Sequence, residues 1–136
     1  MGRERFDFLV IDTPARPAES DLNELVEGCD LLLLPTTPDS LALDALGLMA
    51  HALPKGANYH VLLTMIPPSP QKDGAEALAA CKEVGFPVLE RGIRYFKVYK
   101  NAAAERKPIY SMRGGKTAWR DWTELGKLEP LQQLLK

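Results

Sequence analysis

Three times in this chain a short apolar run breaks off against a proline-bearing turn, and that pattern limits the fold more than any other feature. The runs are Phe6 to Ile11 before Asp12-Thr13-Pro14, Leu31 to Leu34 before Pro35, and His60 to Ile66 before Pro67-Pro68-Ser69-Pro70. All are of strand length, and proline lacks the N–H that a ladder needs, so each turn ends its strand. A shorter run, Pro87 to Glu90, reads as a fourth strand. Between the runs the apolar residues fall at helical spacing. Ser20 can cap a helix with Leu22, Leu25, Val26 and Cys29 inward, ending near Gly28 and Asp30. Asp39 or Ser40 can cap another that runs through Leu53 with Leu41, Ala45, Leu48, Met49 and Ala52 inward. A third spans about Lys72 to Val84 and stops at Gly85, a usual residue just past a helix end. Strands alternating with helices argue for parallel βαβ units. The expectation is an α/β fold, a mostly parallel sheet of about four strands flanked by helices, in one domain over residues 1–136.

Composition removes several function classes. The 136 residues are 46% hydrophobic and 26% charged, an ordinary globular mix with net charge -1, so no global field draws the chain to nucleic acid. No apolar run approaches the roughly 18 residues of a bilayer span, and Met1 to Arg5 lead into a strand rather than a signal peptide. Cys29 and Cys81 sit in apolar helical patterns, which suits buried thiols in a reducing, cytoplasmic setting. His51 and His60 have no partners at metal-ligand spacing.

Charge is uneven along the chain. Residues 91–120 hold nine basic side chains, among them Arg91, Arg94, Lys97, Lys100 and Arg113, against Glu105 alone. A basic helix is expected near Tyr95 to Glu105, a turn at Arg113-Gly114-Gly115, and a helix from about Thr117 to Leu128 with Trp119, Trp122 and Leu125 buried. Scattered basic residues ordinarily form a solvated surface. The alternative is sequence-independent contact with the phosphates of DNA through Arg91, Arg94, Lys97, Lys100 and Arg113. Tyr95, Phe96 and Tyr99 are interleaved, but their spacing suits a core better than base stacking.

The most informative run is the first, because it delivers an acid, Asp12, to its end. At the carboxyl edge of a parallel sheet an acid on a buried strand faces the ligand crevice, although one acid before a proline can equally cap a turn. The segment Phe6-Asp7-Phe8-Leu9-Val10-Ile11-Asp12-Thr13-Pro14-Ala15 resembles the Walker B region of the ParA/MinD group of P-loop ATPases. The resemblance continues through Gly28 to Asp39, through Leu62-Leu63-Thr64-Met65-Ile66-Pro67, and through Gly92-Ile93-Arg94 with Ala102 downstream. It implies the later portion of a P-loop NTPase fold, with Asp12 as the catalytic Walker B acid supporting Mg²⁺ through water. It implies a switch loop beginning at Thr13, Pro14 and Ala15, and places Thr64, Met65, Ile93 and Arg94 on the base side of bound ATP. A homodimer, nonspecific DNA and an ATPase-stimulating partner would follow, with the work of DNA segregation or cargo positioning.

Two departures temper these implications. Gly92 stands where the group usually has proline. The glycine-rich phosphate loop lies upstream of Walker B in the group, and only Met1 to Arg5 stand upstream here. Gly114-Gly115-Lys116-Thr117 does not substitute, since a P-loop needs glycine at position 110, which is Tyr110; a glycine turn opening a helix is the better reading. The chain alone is therefore expected neither to bind ATP tightly nor to hydrolyse it. The alternative is a non-enzymatic binding module of the same fold. An unrelated flavodoxin- or receiver-type domain would need more acids at the strand ends than Asp12 and Asp39. With the strand beside it missing, the Phe6–Ile11 run is expected to pair with the Leu31 or His60 strand, or with another chain.

Overall fold

The computed structural model of the chain describes residues 7–14, 17–69 and 71–136. At its centre is one βαβ unit. Strand β1 (Leu32–Thr36) pairs in parallel with β2 (Tyr59–Leu63), in register Leu32 with Tyr59 through Thr36 with Leu63. Helix α2 (Ser40–Ala52) makes the crossover. Asp39 accepts a hydrogen bond from the Ala42 amide at 2.9 Å and so caps α2, as the sequence suggests. Before this unit comes α1 (Glu19–Gly28), whose first residue follows Ala18 rather than Ser20; the Asp21 carboxylate accepts from the Ala18 amide. After it come α3 (Asp73–Val84), α4 (Val98–Glu105), a 3₁₀ turn at Ile109–Ser111, α5 (Lys116–Gly126) and the short α6 (Glu129–Gln132). Gly85 closes α3 at φ 89°, a left-handed conformation that glycine takes without steric cost.

Helices lie on both faces of the strand pair. On one face Val61 joins Leu46 of α2 and Cys81 of α3, with Leu34, Leu43 and Phe86 against them. On the other, Leu62 joins Leu89, Ile93 and Leu125 of α5, with Leu33, Tyr99 and Leu128 around them. Alternate residues of β2 thus enter opposite cores, as the period of two demands.

The expected sheet of about four strands is not what forms. Among the described residues the sheet has two strands. The Phe6–Ile11 strand fails over its described part, because residues 7–11 adopt no regular structure, and Phe8, Leu9, Val10 and Ile11 are 47%, 78%, 87% and 60% exposed. Phe6 lies outside the described residues. The run pairs neither with β1 nor with β2, so the expected repair within the chain is not seen. An apolar strand with both faces apolar is stable only when covered on both, and nothing among the described residues covers this one. Pro35 sits within β1 opposite Leu62, which an edge position allows.

The Pro87–Glu90 run is not a full strand either. It follows β2 through single parallel bridges, Val61 with Val88 and Ile66 with Arg94. The Val61 amide donates to the Pro87 carbonyl at 2.7 Å, and the Val61 carbonyl accepts from Leu89 at 2.9 Å. Two residues further on, the Leu63 carbonyl accepts from Ile93 rather than from Arg91. Two extra residues on this side bulge outward, and Glu90, Arg91 and Gly92 leave the ladder.

Two helices present a different face from the one their sequences suggest. α2 is apolar on nearly every side, so its pattern selects no stripe; Leu46 and Leu43 face the core, while Leu41 and Leu48 are 80% and 77% exposed. In α5 the buried stripe is Ala118, Asp121 and Leu125, one residue off the tryptophans. Trp119 and Trp122 instead flank the helix, Trp119 edge-on to Tyr110 at 5.2 Å and Trp122 donating from Nε1 to the Tyr99 hydroxyl at 2.9 Å.

Candidate functional site

Where parallel strands finish, side chains and backbone groups from successive turns converge, and this edge carries the clearest site geometry. Thr36 ends β1 in a buried position, and its carbonyl accepts from the Thr64 amide at 2.8 Å and the Thr64 hydroxyl at 3.3 Å. Thr37 donates its hydroxyl to the Asp39 carboxylate. That bond first, and the Ala42 amide second, holds the Asp39 carboxyl below the usual carboxylate range, so Asp39 is an anion over the whole neutral range. Met65 follows at φ 52° with its side chain exposed, a left-handed conformation uncommon outside glycine and enriched at functional positions. The Ile66 amide then donates to the Ile93 carbonyl, and the Tyr95 amide to the Ile66 carbonyl, which brings Ile93 and Arg94 beside the end of β2. Thr64, Met65, Ile93 and Arg94, scattered in sequence, thus share one end of the strand pair.

Arg94 is fixed there by an acid that the sequence reading passed over. Asp121 of α5 accepts from the Arg94 amide at 2.9 Å, from Nε at 3.0 Å and from Nη2 at 2.6 Å. The Asp121 side chain is 10% exposed and that of Arg94 40%. The bidentate contact is the strong geometry for this ion pair, and Asp121 keeps the guanidinium charged well past its ordinary range. The guanidinium also lies 5.1 Å from the Phe96 ring centroid. The available signal was spacing: Asp121 falls three after Ala118 and four before Leu125, an acid at a core position of an amphipathic helix.

Asp12, Thr13 and Pro14 are not part of this assembly. All three are exposed in the irregular segment, and Ala15 lies outside the described residues. A magnesium–triphosphate group needs an acid held rigidly and a cradle of backbone amides. The described residues do not fit it, because Asp12 has no strand to hold it. The Gly114-Gly115 pair is committed to a turn: Gly114 has φ 78°, and a Cβ on Gly115 would strike the Ile109 carbonyl. α5 begins at Lys116, in keeping with a glycine turn that opens a helix. No group of three or more His, Cys, Asp or Glu that could hold a metal occurs among the described residues.

The chain is 35% identical over 111 residues to the maintenance of carboxysome distribution protein A of Gloeobacter kilaueensis. The match takes in 80% of this chain and 51% of that protein, so the chain spans about half the length of its curated relative. No protein-family model matches the chain.

The other basic candidates spread beyond the strand ends. Lys97 precedes the first residue of α4, Lys100 lies in its first turn, and both are exposed. Arg113 is exposed in the turn before α5, and Arg91 is exposed on the bulge. Tyr99 is half-buried against the Leu62–Leu125 core, as its spacing suggests. No helix among the described residues is long and apolar enough to cross a membrane. His60, half-buried, has an Nδ1 with no hydrogen-bond partner among the described residues, and burial pushes its imidazole pKa down. His51 in the last turn of α2 has Nδ1 2.7 Å from the Gly47 carbonyl, a local role.

Proposed function

We propose that this chain is a portion of a ParA-like ATPase that positions a cellular cargo, and that these 136 residues alone neither bind ATP tightly nor turn it over. One observation carries the reading: the 35% identity to a protein named for maintaining carboxysome distribution, over four-fifths of this chain. The ordered agreement of the Asp12, Asp39, Thr64 and Arg94 regions with the ParA/MinD pattern supports it from the sequence side. In the longer protein Asp12 would be the Mg²⁺-supporting acid, with Thr13 and Pro14 beginning the switch loop. Thr64, Met65, Ile93 and Arg94 would lie on the base side of the nucleotide, and their convergence at the end of β2 is compatible with that role. ATP-dependent homodimerisation, a stimulating partner protein and a cytoplasmic setting belong to the same reading. Cargo binding by a non-enzymatic module is the second reading, favoured by the unsupported position of Asp12.

The test compares Mg²⁺-dependent ATP binding and turnover by the 136-residue chain with those of a version joined to the part of the carboxysome distribution protein that precedes the matching region. Binding and turnover in the extended protein alone are expected. Micromolar affinity or turnover in the short chain overturns the inactivity. Neither activity in a well-folded extended protein turns the reading toward the non-enzymatic module. Nonspecific DNA binding would run through Lys97, Lys100 and Arg113, with Arg91 and Arg94 beside them. Its affinity would fall linearly in log–log form with salt, and more shallowly in Lys97→Gln/Lys100→Gln.

A further inference from the structure

The bulge at residues 90–92 does more than interrupt a ladder. It walls a cavity of about 500 Å³ between the N-terminal half of α3 and one side of α5. That size is within the range of small-molecule sites. Its apolar lining includes Leu63, Ile66, Leu78 and Leu89, with Gly74 packed closely against Ile66 and Gly92 against Ile66 and Leu63. A Cβ on Gly74 would come within 2.5 Å of Ile66 Cγ2, and one on Gly92 within 2.7 Å of the Leu63 carbonyl. Its charged lining is three arginines and three acids, with Gln71 beside them, but the acids are already engaged. Glu90 pairs with Lys82 at 2.7 Å, Glu124 with Lys127 at 2.8 Å, and Asp121 with Arg94 at 2.6 Å. Arg91 from the bulge and Arg120 from α5 carry the charge that these pairs leave over among the described residues. Lys127 first, and Arg91 and Arg120 after it, hold the Glu124 carboxyl below its usual range. The Asp121–Arg94 pair binds the bulge's C-terminal end to α5, so the two walls that bear Arg91 and Arg120 are tied together.

We propose that this cavity binds a small phosphate-bearing ligand, with Arg91 and Arg120 holding the phosphate at the rim and the apolar lining receiving the rest of the molecule. Guanidinium groups match phosphate oxygens in paired contacts, and the half-apolar lining suits a ligand with a nonpolar body. The cavity shares Arg94 with the residues assigned above to the base side of the nucleotide, but Thr64, Met65, Ile93 and Asp12 do not line it, and its binding of phosphate does not depend on the ATPase reading. The same two arginines could meet a phosphate of duplex DNA instead, so the test has an arm for each source.

Pyrophosphate is titrated by calorimetry into the wild-type chain, Arg91→Gln, Arg120→Gln, their double variant, Glu124→Gln and Lys97→Gln/Lys100→Gln, each checked for native helicity and melting. Amide shifts of Gly74 and Gly92 report whether the cavity is the place of binding. Saturable binding that moves these amides is expected, about tenfold weaker in the double variant and severalfold tighter in Glu124→Gln, where a competing anion is gone. The Lys97/Lys100 variant should bind pyrophosphate as the wild type does. No saturable pyrophosphate binding by the folded wild type, or equal affinity in the double variant, overturns the site. Loss of binding to a short duplex in the double variant with pyrophosphate binding untouched also overturns it, since the arginines would then be backbone contacts outside the cavity.

Discussion

Two apolar runs in this chain are nearly interchangeable as sequence and opposite as structure. Phe8-Leu9-Val10-Ile11 is 47–87% exposed, while Val61-Leu62-Leu63 is at most 6% exposed. Both are short, apolar and followed within a few residues by a turn. The difference is company. β2 has β1 hydrogen-bonded on one side, the 87–95 segment on the other, and a helix-lined core against each face. The 8–11 run has none of these among the described residues. Apolar character sets the demand for burial, and neighbours decide whether it is met.

The comparison can be broken most sharply by truncating each run in turn. Leu62→Ala truncates a buried member of the core cluster that holds Leu89, Ile93 and Leu125, and should cost about 2–4 kcal/mol in chemical denaturation. Gly92→Ala should destabilise by roughly 1–3 kcal/mol, because its Cβ would press on the Leu63 carbonyl and on Ile66 where β2 ends. Asp121→Ala should cost about 1–2 kcal/mol, discounted because the Arg94 side chain is 40% exposed, and should sharpen amide exchange at Arg94 and Tyr95 while leaving Val61 protected.

Smaller effects come from protonation and from the exposed run. His60 lies in β2 with its pKa lowered by burial, so the folded state prefers the neutral ring and the unfolded chain binds its proton first. The His60 contribution is therefore whole above the unfolded pKa of about 6.5 and is lost as pH falls below it. His60→Gln should flatten that part of the stability–pH curve. Val10→Ala should change stability by less than about 0.5 kcal/mol, as expected for a side chain without a core around it. A cost above about 1 kcal/mol would mean that the run is covered in solution by a second molecule, and dilution would then lower the melting temperature.

Much of the scaffold was legible in order. The capped start of α2 at Asp39, the end of α3 at Gly85 and the glycine turn before Lys116 rest on local chemistry, a carboxylate accepting an amide and residues free to take positive φ, while β1 runs through Pro35 to Thr36 instead of ending before it. What sequence could not show were the facing of α2 and α5, the bulge at 90–92 and the fate of the first run. α2 is apolar on so many sides that several stripes satisfy the same spacing, and packing against Val61 and Cys81 selected Leu46 over Leu48. In α5 bulk misled, since the small Ala118 and the paired Asp121 fit the close approach of the helix better than two tryptophans do.

The candidate site divides along the same line. The sequence by itself determined that acids and threonines stand just after the strand-like runs, because such runs carry their own length and end at proline. Only the tertiary structure decided that Thr64, Ile93 and Arg94 meet at the end of β2, that Asp121 reaches across to fix Arg94, and that Asp12 stands apart from them. Those outcomes depend on contacts between residues far apart in the chain, where each burial or ion pair is settled by what the other segment supplies.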